Sequence, residues 1–336
     1  MLTNARTPCA SSVDETRANA LRLAFLGTPD VAVVTLAALI DANHDIALVV
    51  SRADARRGRR GELTPSPVKA AALARGLRVS DRAADVVDTE AELGVVVAFG
   101  QLIRPDVLTR VPMVNLHFSL LPRWRGAAPV ERAILAGDQA TGVCLMALEA
   151  GLDTGPVYRR ATVDIGAEDT AAGLRARLAE LGSTQLVTAL ADGLGDPKPQ
   201  VGEVTYAQKL TSEDRHLAWD RSAEELSRVV RIGRAWTTWR GRRLLVLDAA
   251  VTVLPDRLGG KSGTLIAESA QALGLTLPSA APGPDARSPG QDPVVVTGNG
   301  GLVLRTVQPE GRAPTSGQAW ARGARFERDE RLGEPS

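Results

Sequence analysis

Cysteine and histidine are nearly missing from this chain. Cys9 and Cys144 are the only cysteines in 336 residues, one in a polar N-terminal stretch and one in an apolar run. That excludes a disulfide framework in practice, and a cysteine-based zinc site with it. The histidines are His44, His117 and His216, too few and too dispersed for a His-rich metal centre, so no catalytic metal is expected. Lysine is also scarce: Lys69, Lys198, Lys209 and Lys261 are the full set, and arginine carries nearly all the positive charge. A net charge of +1 says nothing by itself about nucleic acid. How the arginines are distributed matters more. No run approaches the roughly 18–20 apolar residues of a membrane helix. Residues 1–20 are polar, carry Asp14 and Glu15, and lack the apolar stretch of a signal peptide. They read as a disordered leader, and the chain is expected in the cytoplasm. No heptads or apolar interface stripe appear, so a monomer is expected.

What is present is a long alternation of strand and helix signals. A chain of 336 residues exceeds one ordinary domain and suggests two. Leu21 to Gly27 reads as a buried strand, Asp30 to Ala42 as a helix and His44 to Ser51 as a second strand. A charged stretch, Arg52 to Pro65, precedes a helix that Pro67 opens. Leu93 to Phe99 has no polar alternation, so both its faces should be buried. Met113 to Ser119, Thr141 to Glu149 and Val157 to Ile165 are further strands. Thr170 to Leu194 contains an amphipathic helix with Leu174, Leu178, Leu181, Leu186 and Leu190 on one face. The pattern predicts a doubly wound, mostly parallel α/β sheet over residues 21–195. Residues 196–210 read as a linker. Residues 211–330 change character: a helix at Ser222 to Arg231, then short glycine-bounded strands at Leu244–Val253, Gly263–Ala267, Val294–Thr297 and Leu302–Val307. These suggest a small closed β-barrel. A Pro/Gly/Ala/Ser-rich segment, 269–292, should be a flexible insertion.

The densest polar cluster is Asn115 to Pro129, NLHFSLLPRWRGAAP. Asn115 and His117 are two apart on a strand and point the same way. They lie at the carboxyl end of a predicted parallel strand, where open α/β sheets place their sites. Downstream, Asp153 stands in Gly151-Leu152-Asp153-Thr154-Gly155, a loop suited to aiming a carboxylate at a neighbour. Asn, His and Asp suit acyl transfer to an amine. An amide or imidazole can stabilise an oxyanion, imidazole can move protons, and a carboxylate can orient it. No Ser or Cys elbow implies covalent catalysis, and Gly27-Thr28 lacks the dinucleotide pattern. A strand Asn-x-His pair is also an ordinary structural feature, and an Asp between glycines is ordinary turn chemistry. The residues by themselves give an α/β enzyme or binding domain.

A set of motifs goes further. Asn115-Leu116-His117 followed by Ser119-Leu120-Leu121-Pro122 resembles the signature of the folate-dependent formyltransferases. Arg123-Trp124-Arg125-Gly126-Ala127-Ala128-Pro129, Gly27-Thr28-Pro29-Asp30, Pro65-Ser66-Pro67-Val68-Lys69 and the Asp153 loop look like the branch of that family acting on methionyl-tRNA. The similarity runs from about Leu21 to the C-terminus. It implies formyl transfer from 10-formyltetrahydrofolate to the amino group of initiator methionyl-tRNA, with Asn115, His117 and Asp153 as catalytic residues. It implies folate contacts at Ser119, Leu120, Leu121 and Pro122, and at Val97, Phe99 and Gly100 near the end of the VVVAFG strand. The resemblance places Arg56, Arg57, Arg59 and Arg60 against the tRNA acceptor arm, although such a run is also an ordinary solvated loop. The C-terminal part resembles the family's OB-type barrel, with Arg240, Arg242 and Arg243 flanking its first strand in positions suited to phosphate. Two departures touch RNA contacts: Arg231–Thr237 lacks the family's usual proline-containing run, and Glu62 stands where further basic residues are common. The main rival is a formyltransferase for a small amine, such as an amino sugar nucleotide or glycinamide ribonucleotide. A formylfolate hydrolase and a non-catalytic RNA-binding protein are the others.

Overall fold

The computed structural model describes residues 20–56, 61–255, 260–266, 292–327 and 329–334. The expected leader lies outside the described residues, as does nearly all of the expected insertion at 269–292. In chain order the first elements are β1 (Arg22–Gly27), α1 (Asp30–Asp41), β2 (Asp45–Val50), β3 (Ala55–Arg56), β4 (Leu63–Thr64), α2 (Pro67–Leu73) and β5 (Val79–Ser80). Then come β6 (Leu93–Val97), α3 (Pro105–Leu108), β7 (Met113–His117), β8 (Arg125–Gly126), α4 (Pro129–Ala136), β9 (Ala140–Ala147), β10 (Val157–Asp164), α5 (Ala171–Asp192) and β11 (Tyr206–Ala207). The last are α6 (Ala223–Arg231), β12 (Ala235–Trp239), β13 (Arg242–Thr252), β14 (Leu265–Ile266), β15 (Val294–Val296), β16 (Gly301–Pro309), β17 (Thr315–Ser316) and α7 (Gly317–Ala324). The chain divides into two compact units. Of the described residues, one holds those up to 130, 140–164 and 174–208; the other holds 131–139, 165–173 and those from 209 onward.

The first unit is built on a seven-stranded sheet in the order β10-β9-β7-β6-β1-β2-β5. Its β1, β2, β5, β6 and β7 run parallel, and β9 pairs antiparallel with β7. From β1 the chain winds outward through β2 to β5, then returns to the other side of β1 as β6. This reversal leaves a crevice at the carboxyl ends of β1 and β6, where such sheets bind ligands. Every residue of β6 is buried, as its unbroken apolar run requires. At the ends of these strands the Thr28 hydroxyl donates to the Phe99 carbonyl at 3.1 Å. A Cβ on Gly27 would lie 2.9 Å from that of Ala32 and 3.1 Å from the Val97 carbonyl oxygen, so glycine is needed for α1 to start this close to the sheet. α2 begins at Pro67 with the Ser66 side chain accepting from the Lys69 N–H. On α5, Leu174, Leu178 and Leu186 are fully buried. The expected linker does not hang free: Lys198 pairs with Val157 and Tyr206 with Arg125. The charged stretch after β2 contains a hairpin, since β3 pairs with β4; pairs of two residues are too short to carry a sequence pattern.

The second unit is an antiparallel β domain, ordered β12-β13-β16-β15-β14 with β17 on β16. β12 carries no alternation that would announce it. The sheet edges are joined by residues 330–333: the Leu265 N–H donates to Glu330, Leu332 to Gly263 and Gly333 to Thr238. That C-terminal segment closes the barrel, a role no propensity signals. Its core gathers Leu226, Val246, Leu304 and Trp320, and Trp320 meets Trp239 and Phe326 edge-on at 5.3 and 4.9 Å. A full capping box, Ser222 with Glu225, opens α6.

Asp214 in this unit receives two bonds from Arg132, at 2.7 and 3.0 Å, and further bonds from Thr211. The Arg132 guanidinium holds its carboxyl down at about 2, against an ordinary 3.8. A carboxylate with a lowered folded value adds stability above its unfolded value and loses it as pH falls through the folded one. Asp214→Asn is therefore expected to lower the unfolding free energy at pH 7 by about 2 kcal/mol. In urea melts the deficit should shrink below pH 3.8 and be nearly gone at about 2. A deficit independent of pH would show that the ion pair is not its source.

No helix among the described residues is long and apolar enough to cross a membrane.

Candidate active site

Strand alternation puts Asn115 and His117 on one face of β7, and they are 9% and 5% exposed. Across the sheet Asn115 faces Val96 of β6 and Met146 of β9, and His117 faces Cys144. Burial pushes the Cys144 thiol up, which makes it inert rather than nucleophilic. Beyond β7 the chain folds back on itself: His117 Nε2 lies 2.8 Å from the Trp124 carbonyl oxygen. A carbonyl can only accept, so Nε2 carries the hydrogen. Nδ1 then faces Asp153, whose Oδ2 is 3.5 Å away. The same Oδ2 accepts the Gly126 N–H at 2.7 Å. Asn115 differs from both: its side-chain amide has no hydrogen-bond partner among the described residues. The amide is not fully enclosed, so it is free to meet a ligand.

The Asp153 loop is shaped by its glycines and by one distant residue. A Cβ on Gly155 would fall inside contact distance of the Ala147 carbonyl oxygen on β9. Gly126 has φ 120°, and a Cβ there would sit 2.8 Å from the Ala207 carbonyl oxygen. Asp153 itself is left-handed, at φ 50°, a conformation Asp tolerates better than most residues. Gln200 reaches in from the segment before β11: its Nε2 donates to the carbonyls of Asp153 and Gly155, both at 2.8 Å. Its Oε1 accepts from Arg125 at 3.1 and 2.7 Å. An unengaged amide beside an imidazole that faces a carboxylate can hold a developing oxyanion and take up a proton.

The family described as formyl transferase matches residues 21–190, and its C-terminal domain matches 209–325. The methionyl-tRNA formyltransferase of Roseobacter denitrificans is 41% identical over 321 residues, spanning 91% of this chain and 97% of the relative. That of Frankia casuarinae is 40% identical over 332 residues, spanning 93% and 96%. The chain belongs to the methionyl-tRNA formyltransferase family. Solved structures under 25% identical share the formyltransferase fold. HypX from Aquifex aeolicus, crystallised with tetrahydrofolic acid, aligns at TM-score 0.60 and 13% identity over 92% of this chain and 48% of its own. An N-formyltransferase from Helicobacter canadensis, in complex with folinic acid and dTDP-3-aminofucose, aligns at 0.59 and 14% over 86% and 99%.

The other residues expected to act in this formyltransferase fall into distinct settings. Ser119 is fully buried, and its hydroxyl donates to the Arg123 carbonyl at 2.6 Å. Leu121 and Pro122 are buried, and Leu120 is half-buried against Gly142. Val97 is fully buried, and Phe99 packs into the core with Ala24, Leu26 and Val96. These side chains face inward, so what this edge offers a ligand is main chain at Ala98 and Gly100, at φ 46° and 72°. Among the described residues nothing lies within 4 Å of where a Cβ on Gly100 would stand. Arg56 donates to the Gly61 carbonyl; Arg57, Arg59 and Arg60 lie outside the described residues. Arg240 occupies the turn between β12 and β13 and is held by Glu330 at 2.7 and 2.9 Å while lying over Trp239. Arg242 and Arg243 are the first residues of β13, and Arg243 stacks 4.3 Å over Trp236.

Two groups carry no sequence signal. Gln200 sits in what reads as linker, with nothing local to mark it. Arg215 and Arg234 join Arg243, Thr211, Ser212 and Glu310 around a cleft of about 440 Å³ in the second unit. They are scattered singly along the chain, so no basic run announces them.

Proposed function

We propose that this chain transfers the formyl group of 10-formyltetrahydrofolate to the α-amino group of methionine on charged initiator tRNA, in the cytoplasm. The observation that carries the reading is the unengaged Asn115 amide beside His117, itself facing Asp153. When bound, the folate supplies a formyl carbon open to attack by an amine. Gly100 and the main chain around Ala98 would hold it at the switch-point crevice, which is open there; folates are the ligands of two structural neighbours. The Asn115 amide donates to the formyl oxygen as negative charge gathers on it. With Nε2–H fixed on Trp124, Nδ1 is the position of His117 that would take a proton from the attacking amine, with Asp153 steadying the ring as it becomes charged; the bond from the formyl carbon to the folate nitrogen would then break, and that nitrogen would take the proton from Nδ1.

The RNA needs a basic surface, and in the second unit the Arg215–Arg234–Arg243 cleft supports that role better than Arg240, which Glu330 already engages. Replacing all three cleft arginines with alanine is expected to raise KM for methionyl-tRNA and leave the folate KM unchanged. The salt slope of RNA affinity should flatten by about 0.7–0.9 for each phosphate no longer neutralised. Arg240→Ala should act on thermal stability instead. An unchanged slope in the triple variant would move the RNA surface elsewhere. The acceptor itself is tested with labelled 10-formyltetrahydrofolate and either charged initiator tRNA or a panel of small amines. Formylation of an amino sugar nucleotide or glycinamide ribonucleotide in preference to the tRNA would overturn the reading, as would release of free formate with no acceptor.

A further inference from the structure

We infer that Gln200, gripped by Arg125, is a positioning residue that sets Asp153 against His117; this rests on the role proposed above for Asp153. The geometry is a closed ring. Three consecutive residues each hold one part of the site: the Trp124 carbonyl accepts from His117 Nε2, Arg125 donates to Gln200, and the Gly126 N–H donates to Asp153 Oδ2. Gln200 completes the ring by donating to the main-chain carbonyls of Asp153 and Gly155. Asp153 is thus held at both ends, its carboxylate by Gly126 and its main chain by Gln200, and both holds hang on the short strand β8. That strand is itself fixed by β11, with Tyr206 opposite Arg125.

The chemistry of the amide matches the task. Glutamine offers two N–H donors and one carbonyl acceptor at the end of a single planar group. Here both donors meet carbonyl oxygens and the acceptor meets a guanidinium, so no other orientation of the amide satisfies the same partners. The two carbonyls it holds lie either side of Thr154, which fixes the tilt of the loop rather than one point on it. The left-handed backbone of Asp153 makes this support necessary, because a loop released from that conformation would swing the carboxylate away from Nδ1. At 3.5 Å the two groups are already at the limit of a useful contact, so a small displacement removes it. Gln200 touches no reacting atom and acts only through Asp153.

The test is a double-mutant cycle in the full-length enzyme, with methionyl-tRNA and 10-formyltetrahydrofolate as substrates. Gln200→Ala, and Gln200→Met as a variant that keeps the bulk but loses the donors, are each made alone and in an Asp153→Ala background. Alone, each should lower kcat by about 10- to 100-fold, with both KM values within about twofold. In the Asp153→Ala background the further loss should be less than about twofold, because a residue that works through Asp153 has nothing left to position. Losses that multiply in full, an effect on KM alone, or unchanged turnover while Asp153→Ala is impaired would each overturn the clamp and leave the catalytic trio standing. Asp153→Ala with unimpaired turnover would overturn the trio, and the clamp with it. If both Gln200 variants fail to fold, the residue is a stability staple and the proposal is wrong.

Discussion

Asn115→Ala is expected to lower turnover by about 10²–10³-fold, the usual cost of losing one oxyanion donor, with little change in the KM for the folate donor. Asn115 and His117 share one face of β7, and the amide has no other partner among the described residues, so its removal breaks no hydrogen bond there. The loss should therefore fall on kcat and kcat/KM alike, the mark of an interaction made only in the transition state. His117→Ala and Asp153→Ala should both impair turnover, and the double variant should be little worse than His117→Ala, because in the proposed mechanism Asp153 acts through that ring. Steady-state kinetics with charged initiator tRNA measures all four enzymes, and near wild-type turnover in His117→Ala would falsify the mechanism. Asn115→Asp is a useful companion. It keeps the size but places an acceptor where the oxyanion forms, and it should be at least as damaging as alanine.

Gly155→Ala should damage the enzyme through geometry alone. The added methyl has no room beside the Ala147 carbonyl oxygen, and that carbonyl belongs to β9 in the sheet and cannot yield. The loop must move instead, taking Asp153 with it and straining the Gln200 bonds. Overpacking of this kind costs about 1–3 kcal/mol of stability, and misplacement of a catalytic group by about 1 Å can cost about 10²-fold in rate. The expected result is a kcat down by roughly that factor, with substrate KM values near normal and a lower urea midpoint. Gly76→Ala is the control, a glycine far from the site that unlike Gly155 has a positive φ, 68°, and no described atom within 4 Å of where its Cβ would stand. It should lose some stability and keep full turnover. Equal turnover in Gly155→Ala and Gly76→Ala would show that the loop absorbs the added methyl without moving Asp153.

Periodicity carried most of the first unit. The unbroken apolar run at β6 demanded burial on both faces and received it, and the leucine stripe on α5 packs its predicted face. Local chemistry located helix starts, as at Ser66-Pro67 and Ser222. Elements with weak patterns were missed. The hairpin of β3 and β4 and the pairing of β8 with β11 involve two residues a strand, and β12 has no alternation. Position two apart on a strand was enough to put Asn115 and His117 on one face, and the glycines around Asp153 announced a tight loop.

By itself, then, the sequence determined the order of the longer strands and helices, the shared face of Asn115 and His117, the tight loop at Asp153 and the motif set that resembles the family. Those features depend on neighbours within a few residues, where side-chain period and backbone preference act directly. Only the tertiary structure decided which ring nitrogen of His117 faces Asp153, that Ser119 and Phe99 turn inward, that Arg240 is bound to Glu330, and that Gln200 grips the Asp153 loop. Each of these joins groups brought together by strand pairing or loop closure. The partner of Gln200 lies 47 residues away at Asp153 and that of Arg240 lies 90 away at Glu330. Hydrogen-bond geometry is satisfied in space, and no local pattern of residue types encodes contacts at those separations.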